Sequence, residues 1–133
     1  MTHSKTRCLS QLRHRELISP RTGELFSLSA VLTDALGFKD VFVHHEILPP
    51  GRRSSSKHSH SHREEMILVI KGQVTAHLNS GCQLLNPGDY LGFLPGEPHV
   101  VVNETMTSSE LLVIASNPSQ DKVTYFDCEA LPF

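Results

Sequence analysis

The sequence predicts an all-β chain folded as a single domain, of the sandwich, jelly-roll or small-barrel kind. Three observations carry this. Short apolar runs rich in β-branched residues recur along the chain, turn signals separate them about every 8 to 12 residues, and no segment has convincing helical length. At 133 residues, 38% hydrophobic and 20% charged, the composition is that of an ordinary globular protein. One core of that length buries roughly two-thirds of the unfolded surface without help from disulfides.

Taken in order, residues 1 to about 22 mix polar, basic and apolar positions without a clear period and read as an arm or an extra edge strand. Ala30 to Phe38 contains Gly37 and is long enough only for a helical turn or a loop. From Asp40 the reading is β. Val41–Leu48 (VFVHHEIL) is a strand closed by Pro49-Pro50-Gly51. Glu65–Lys71 (EMILVIK) ends at Gly72, and Gln73–Leu78 follows at once. Asn79-Ser80-Gly81 and Asn86-Pro87-Gly88-Asp89 supply turns around Cys82–Leu85. Tyr90–Leu94, His99–Val102, Glu110–Ser116 and Lys122–Phe126 complete the set. The expected organisation is an N-terminal arm with edge strands over 1–39, a β-barrel over 40–127 and a C-terminal tail over 128–133.

A formal net charge of −2 offers no field that would draw nucleic acid or an anionic membrane. A helix-turn-helix needs two good helices, and no segment offers them. Cys8, Cys82 and Cys128 are odd in number, far apart and free of CxxC spacing, so neither a disulfide framework nor a thiolate zinc site is expected. Free thiols fit a reducing compartment. With no apolar stretch of signal-peptide or membrane-span length, the expected location is the cytoplasm.

Nine histidines is a high count for this length, and three of them fall within Lys57–His62. His58 and His60 are two apart, so on a strand both imidazoles share one face and converge on one point. His62 has the same parity. Glu65 has the wrong parity for that face, so the chain must turn within Ser61-His62-Arg63-Glu64 if His58, His60 and Glu65 are to meet. His99 follows the turn Pro95-Gly96-Glu97-Pro98. Three neutral imidazoles and a carboxylate suit Fe, Mn, Zn, Ni or Cu as a divalent ion, with positions left for substrate or water. Each part alone has a plainer reading: KHSHSH as a solvated loop, Glu64 and Glu65 as surface residues, His99 as a turn residue, His44, His45 and His77 as core or surface histidines. The joint pattern favours the metal.

Gly51, His58-x-His60, Glu65 and Gly72 resemble the first motif of the cupin superfamily, with one extra residue after the opening glycine. Gly88, Gly96-x-x-His99 and Asn103 resemble the second, with Leu94 at the usual proline position and Pro95 one place later. The resemblance covers Gly51 to Asn103 and, through the strand pattern, extends to about Phe126. It implies a double-stranded β-helix, a cupin barrel, with one divalent transition metal ion on His58, His60, Glu65 and His99. His62 is an additional histidine that competes with His60 or faces solvent. Leu48–Ser56, Arg63-Glu64-Glu65 and Asp121–Asp127 resemble more narrowly a branch of small bacterial single-domain cupins. Some members of that branch carry sugar-phosphate isomerase labels, and most have no assigned activity.

Two functions follow as expectations. One is a metal-dependent enzyme acting on a small molecule, by dioxygenase-type or sugar/sugar-phosphate isomerase-type chemistry. The other is a non-catalytic, small-ligand-binding or regulatory module. No general base stands out; Tyr90, His45 and His77 are the candidates. Arg52, Arg53, Lys57 and Arg63 flank the site, either to receive a phosphate or carboxylate or simply as solvated loop residues. Small cupins commonly pair through an edge strand or swapped N-terminal segment. The apolar Leu12, Leu17, Ile18, Leu25 and Phe26 of the arm point to a homodimer, or to an arm packed over its own barrel.

Overall fold

The structure, a computed structural model, describes residues 6–126. Cys128, the expected tail over 128–133 and the first five residues of the arm lie outside the described residues. Eleven strands run β1 Arg15–Ile18, β2 Leu25–Val31, β3 Val41–Leu48, β4 His58–His60, β5 Glu65–Lys71, β6 Val74–Leu78, β7 Gly81–Leu85, β8 Tyr90–Phe93, β9 His99–Val102, β10 Ser109–Ser116 and β11 Val123–Tyr125. A 3₁₀ turn at Leu9–Gln11 and a four-residue helix α1, Thr33–Leu36, are the helical elements among the described residues. Gly37, at φ 72°, ends α1 in the left-handed conformation that glycine adopts without cost.

Two antiparallel sheets face each other, one ordered β1-β2-β3-β10-β5-β8 and the other β11-β4-β9-β6-β7. This is the double-stranded β-helix. Strands from β3 to β10 step between the sheets, so inward-facing residues of both share one core. Leu48, Ile67, Val69, Val74, Ala76, Leu85, Phe93, Val101, Leu111 and Val113 form it. Strand β10 shows the required alternation, with Ser109, Leu111, Val113 and Ala115 buried between half-buried neighbours. Asn103 lies fully buried beyond β9. Its Nδ2 donates to the Leu48 and Thr107 carbonyls at 2.8 Å each, and its Oδ1 accepts from Thr105.

The segment expected as an arm with edge strands supplies two strands, β1 and β2, to the larger sheet. β2 pairs with β3 over Leu28–Val31 against His44–Ile47, and β1 pairs with β2 at the edge. Of its apolar residues, Phe26 is buried, Leu12 and Leu17 are half-buried, and Ile18 and Leu25 are exposed. The segment packs over its own barrel.

Candidate metal centre

The pairing of β4 builds the first half of the centre. β4 lies between β11 and β9, with His58 directly opposite His99. Cross-strand partners share a face, so these two rings and that of His60 project together. Ring centroids lie 4.6 Å apart for His58 and His99 and 4.9 Å for His58 and His60. Glu65 arrives from the other sheet, as the first residue of β5, on the inward face it shares with Ile67 and Val69. The turn over residues 61–64 that parity demands is present. It carries the chain from the five-stranded sheet to the six-stranded one.

His58, His60, Glu65 and His99 each bring one ligand-type atom to within 4.8 Å of the other three. Ligand bonds of roughly 2.1 Å would set opposite donors roughly 4.2 Å apart, so the cluster needs only small side-chain adjustments to hold an ion. The hydrogen bonds fix which nitrogens face inward. His58 Nδ1 donates to the Ser56 carbonyl at 2.7 Å, His60 Nδ1 to Asp121 Oδ2 at 2.8 Å and His99 Nδ1 to the Glu97 carbonyl at 2.9 Å. With each Nδ1 proton committed outward, the three Nε2 lone pairs face the cluster. His99 Nε2 then sits 3.2 Å from Glu65 Oε1, and His60 Nε2 4.0 Å from Oε2. Lone pair facing carboxylate is repulsive in a neutral site, and a cation between them satisfies both. The residues fit a metal ion.

Phe93 stacks on His99 with centroids 3.9 Å apart and planes 3° from parallel, which fixes the ring's rotation. Burial holds the His58 imidazole below its ordinary pKa, and the neighbouring His99 and His60 add to this against the Ser56 hydrogen bond. Burial pushes Glu65 up, but before any ion binds, a protonated His99 donating to it at 3.2 Å and the charge of the protonated rings outweigh this and hold the carboxylate below its ordinary value. Both directions favour the metal-binding protonation states. Asp121 also accepts from the backbone N–H groups of His62 and Arg63, at 2.8 and 2.9 Å. It therefore pins the turn after β4 as well as the His60 ring.

The cluster opens on a cavity of about 200 Å³ between the sheets. The cavity is also lined by His44 and Glu46 from β3, Arg63, and apolar side chains such as Leu111 and Val113. Glu46 Oε1 accepts a short hydrogen bond from Ser27, and Oε2 lies 3.7 Å from His44 Nδ1. His44 Nδ1 is 3.0 Å from Ser29 Oγ.

Other expected site residues lie elsewhere. His62 is exposed and bonded to Ser61 Oγ, outside the cluster. Of the candidate bases, Tyr90 is 72% exposed, His45 is buried between His14 and Glu110, and His77 contacts Cys82 and Glu104. None of the three lines the cavity. Arg52 pairs with Glu16 at 2.6 Å, and Arg53 makes a two-point contact with Glu24 at 2.9 and 2.7 Å. Lys57 contacts Asn79. Arg63 is the one basic residue of the four that lines the cavity. Sequence reasoning missed Glu46, Ser27, Asp121 and the Phe93 stack. Two-residue parity puts His44 and Glu46 on one face of β3, a signal that leaves open which face points inward.

The family profile described as "Cupin domain" matches residues 44–115, more than half of the chain. A cupin-superfamily sugar phosphate isomerase from Silicibacter pomeroyi superposes with a TM-score of 0.83, at 26% identity over 92% of this chain and 82% of its own. A Klebsiella pneumoniae protein with a double-stranded β-helix domain gives 0.68 at 21% identity, covering 92% and 97%. The polyketide cyclase RemF from Streptomyces resistomycificus gives 0.77 at 18% identity, covering 98% and 95%. The last two likenesses are of fold. No curated protein matches the sequence. No helix among the described residues is long and apolar enough to cross a membrane.

Proposed function

Because the chain belongs to the cupin family, we propose that it is a metal-dependent enzyme acting on a small molecule, by sugar- or sugar-phosphate-isomerase-type chemistry. The observation that carries this is the three inward-facing Nε2 atoms, each fixed by an outward Nδ1 bond, meeting Glu65 at the wall of a cavity. His58, His60, Glu65 and His99 would hold one divalent ion. Bound there, the ion supplies Lewis acidity toward a substrate carbonyl or hydroxyl.

The chain's own residues do the rest. Phe93 and the Glu97 carbonyl orient His99, and Asp121 orients His60. Leu111, Val113 and Val101 give the cavity an apolar wall. Arg63 places a positive charge beside the cavity, with its guanidinium over the Phe42 ring at 5.5 Å and Nη2 on Asn117. The likeness to a sugar phosphate isomerase at 26% identity favours isomerisation over dioxygen chemistry.

The test is metal content per chain on protein purified without chelator, beside His99→Ala. About one Fe, Mn, Zn, Ni or Cu per chain, lost in the variant, supports the reading. No metal in the wild type, even after reconstitution with each ion, refutes it and leaves a ligand-binding barrel.

A further inference from the structure

One buried ionisable group has no part in holding the ion. Glu46 is 3% exposed, on the inward face of β3. It lines the same cavity as all four cluster residues. Its hydrogen-bond partner is the Ser27 hydroxyl, with His44 beyond Oε2 and the Ser29 hydroxyl beyond His44. The other charged or titratable groups lining the space are Arg63, Glu65 and the cluster imidazoles. The plainer role, a polar tie between β2 and β3, explains little. Backbone pairing over Leu28–Val31 already joins these strands, and burying a carboxyl is a costly way to add one more bond. A carboxyl held by one hydroxyl, inside a cavity that a metal-type cluster also lines, is placed to exchange protons with whatever occupies that cavity.

We propose that Glu46 is the acid–base residue of this site, moving a proton between adjacent carbons of a small α-hydroxycarbonyl substrate. This rests on the metal-dependent isomerase reading above. The carboxylate removes the proton from the hydroxyl-bearing carbon. The C–H electron pair becomes a C=C bond, and the carbonyl π pair moves to its oxygen. A proton then returns from Glu46, either the one removed or a solvent proton exchanged onto the carboxyl, and the C=C pair bonds it to the former carbonyl carbon, while the hydroxyl O–H pair becomes the new carbonyl and that proton passes to the former carbonyl oxygen. Hydrogen is moved and none is gained or lost, so no oxidant or reductant is needed. Burial, with Glu65 adding to it and Ser27 opposing, pushes the Glu46 carboxyl up to about 7. A group there both takes and returns a proton near neutrality.

The experiment compares wild type, Glu46→Gln and Glu46→Asp. Metal content is measured on each. Deuterium incorporation from D₂O into dihydroxyacetone phosphate and into dihydroxyacetone is followed by proton NMR on the metal-loaded proteins. On metal-free protein, infrared difference spectra between wild type and Glu46→Gln are taken at pH ~6 and ~8.5. The expected result is unchanged metal content, exchange reduced ~100-fold or more in Glu46→Gln and partly restored in Glu46→Asp. The infrared spectrum should show a protonated carboxyl at the lower pH that is lost at the higher. Equal exchange in Glu46→Gln, no exchange by metal-loaded wild type on either probe, or no protonated-carboxyl band overturns the proposal. A wild type that takes no metal overturns the underlying reading instead, and the metal-free spectra still decide whether Glu46 exchanges a proton.

Discussion

Replacing Asp121 by Asn changes one atom and tests how the His60 ring is set. Asp121 Oδ2 accepts from His60 Nδ1, and Oδ1 accepts from two backbone N–H groups. Burial pushes this carboxyl up, but the bonds from His62 N–H, the His60 ring and Arg63 N–H prevail and hold it below the usual carboxylate range. It therefore stays ionised at neutral pH. An asparagine has two ways to sit. With its amide toward the two backbone donors it forfeits two hydrogen bonds, at about 1–3 kcal/mol each for the donors left unpaired. With its oxygen kept on those donors, its NH₂ faces His60 Nδ1, and the imidazole must move its proton to Nε2. The second arrangement is cheaper and wins. It removes the lone pair that would face the ion, so metal affinity should fall ~10–100-fold, about 1.4–2.7 kcal/mol. Chelator competition measures the affinity, and nitrogen NMR of the metal-free ring reads the tautomer. Asp121→Asn binding metal as tightly as wild type, with His60 still protonated on Nδ1, would refute the reasoning.

The buried β3 pair gives opposite pH responses in metal-free protein. Glu46 is raised from 4.5 to about 7, so it has no effect below pH 4.5 and penalises the fold increasingly as pH rises through 7. At about 1.4 kcal/mol per pH unit the penalty reaches roughly 3 kcal/mol, so Glu46→Gln should raise the urea midpoint at pH ~8 and leave it unchanged near pH ~4.5. His44 is lowered by burial from 6.5 to about 4, so its penalty is absent above pH 6.5 and grows as pH falls toward 4. His44→Gln should therefore flatten the acid side of the wild-type stability profile, and an unchanged acid limb would count against that burial. Gly72, at φ 76°, ends β5 with no room for a side chain. A Cβ there would lie 2.5 Å from Ser109 Oγ and 2.9 Å from the Ser108 carbonyl. Gly72→Ala should cost about 2–4 kcal/mol in thermal or urea unfolding, and a loss below about 1 kcal/mol would show that the β5–β10 contact gives way.

The strands most legible in the sequence are those rich in β-branched and aromatic residues with Pro or Gly at an end. β3, β5 and β9 fall within the expected bounds because VFVHHEIL, EMILVIK and HVVV meet that description. β2 was not legible because its inward positions include Ser27 and Ser29, which face Glu46 and His44 rather than the core. An alternating pattern with serine on the inside reads as a polar segment. The cluster residues were legible because two-residue parity and the turn after His60 are local. Their supports were not. Asp121 is 61 residues from His60, and which of His44 and His45 points inward is decided by the register of β3 between β2 and β10. The arginine pair misled for the same reason. Its partners, Glu16 and Glu24, come from the arm, which no motif had tied to the barrel.

The pairing of β11 with β4 sets an order for biosynthesis. All four proposed ligands have been synthesised once His99 is added, yet the edge of β4 is still open and nothing holds the His60 proton outward. Both are supplied by Asp121 and by Val123–Tyr125, which pair with His58–His60. A nascent chain stalled after β9 would carry every ligand and hold a metal poorly. Any loading would thus wait for Asp121 and β11 to emerge rather than for the last ligand, so the barrel closes around a centre whose ligands were made earlier.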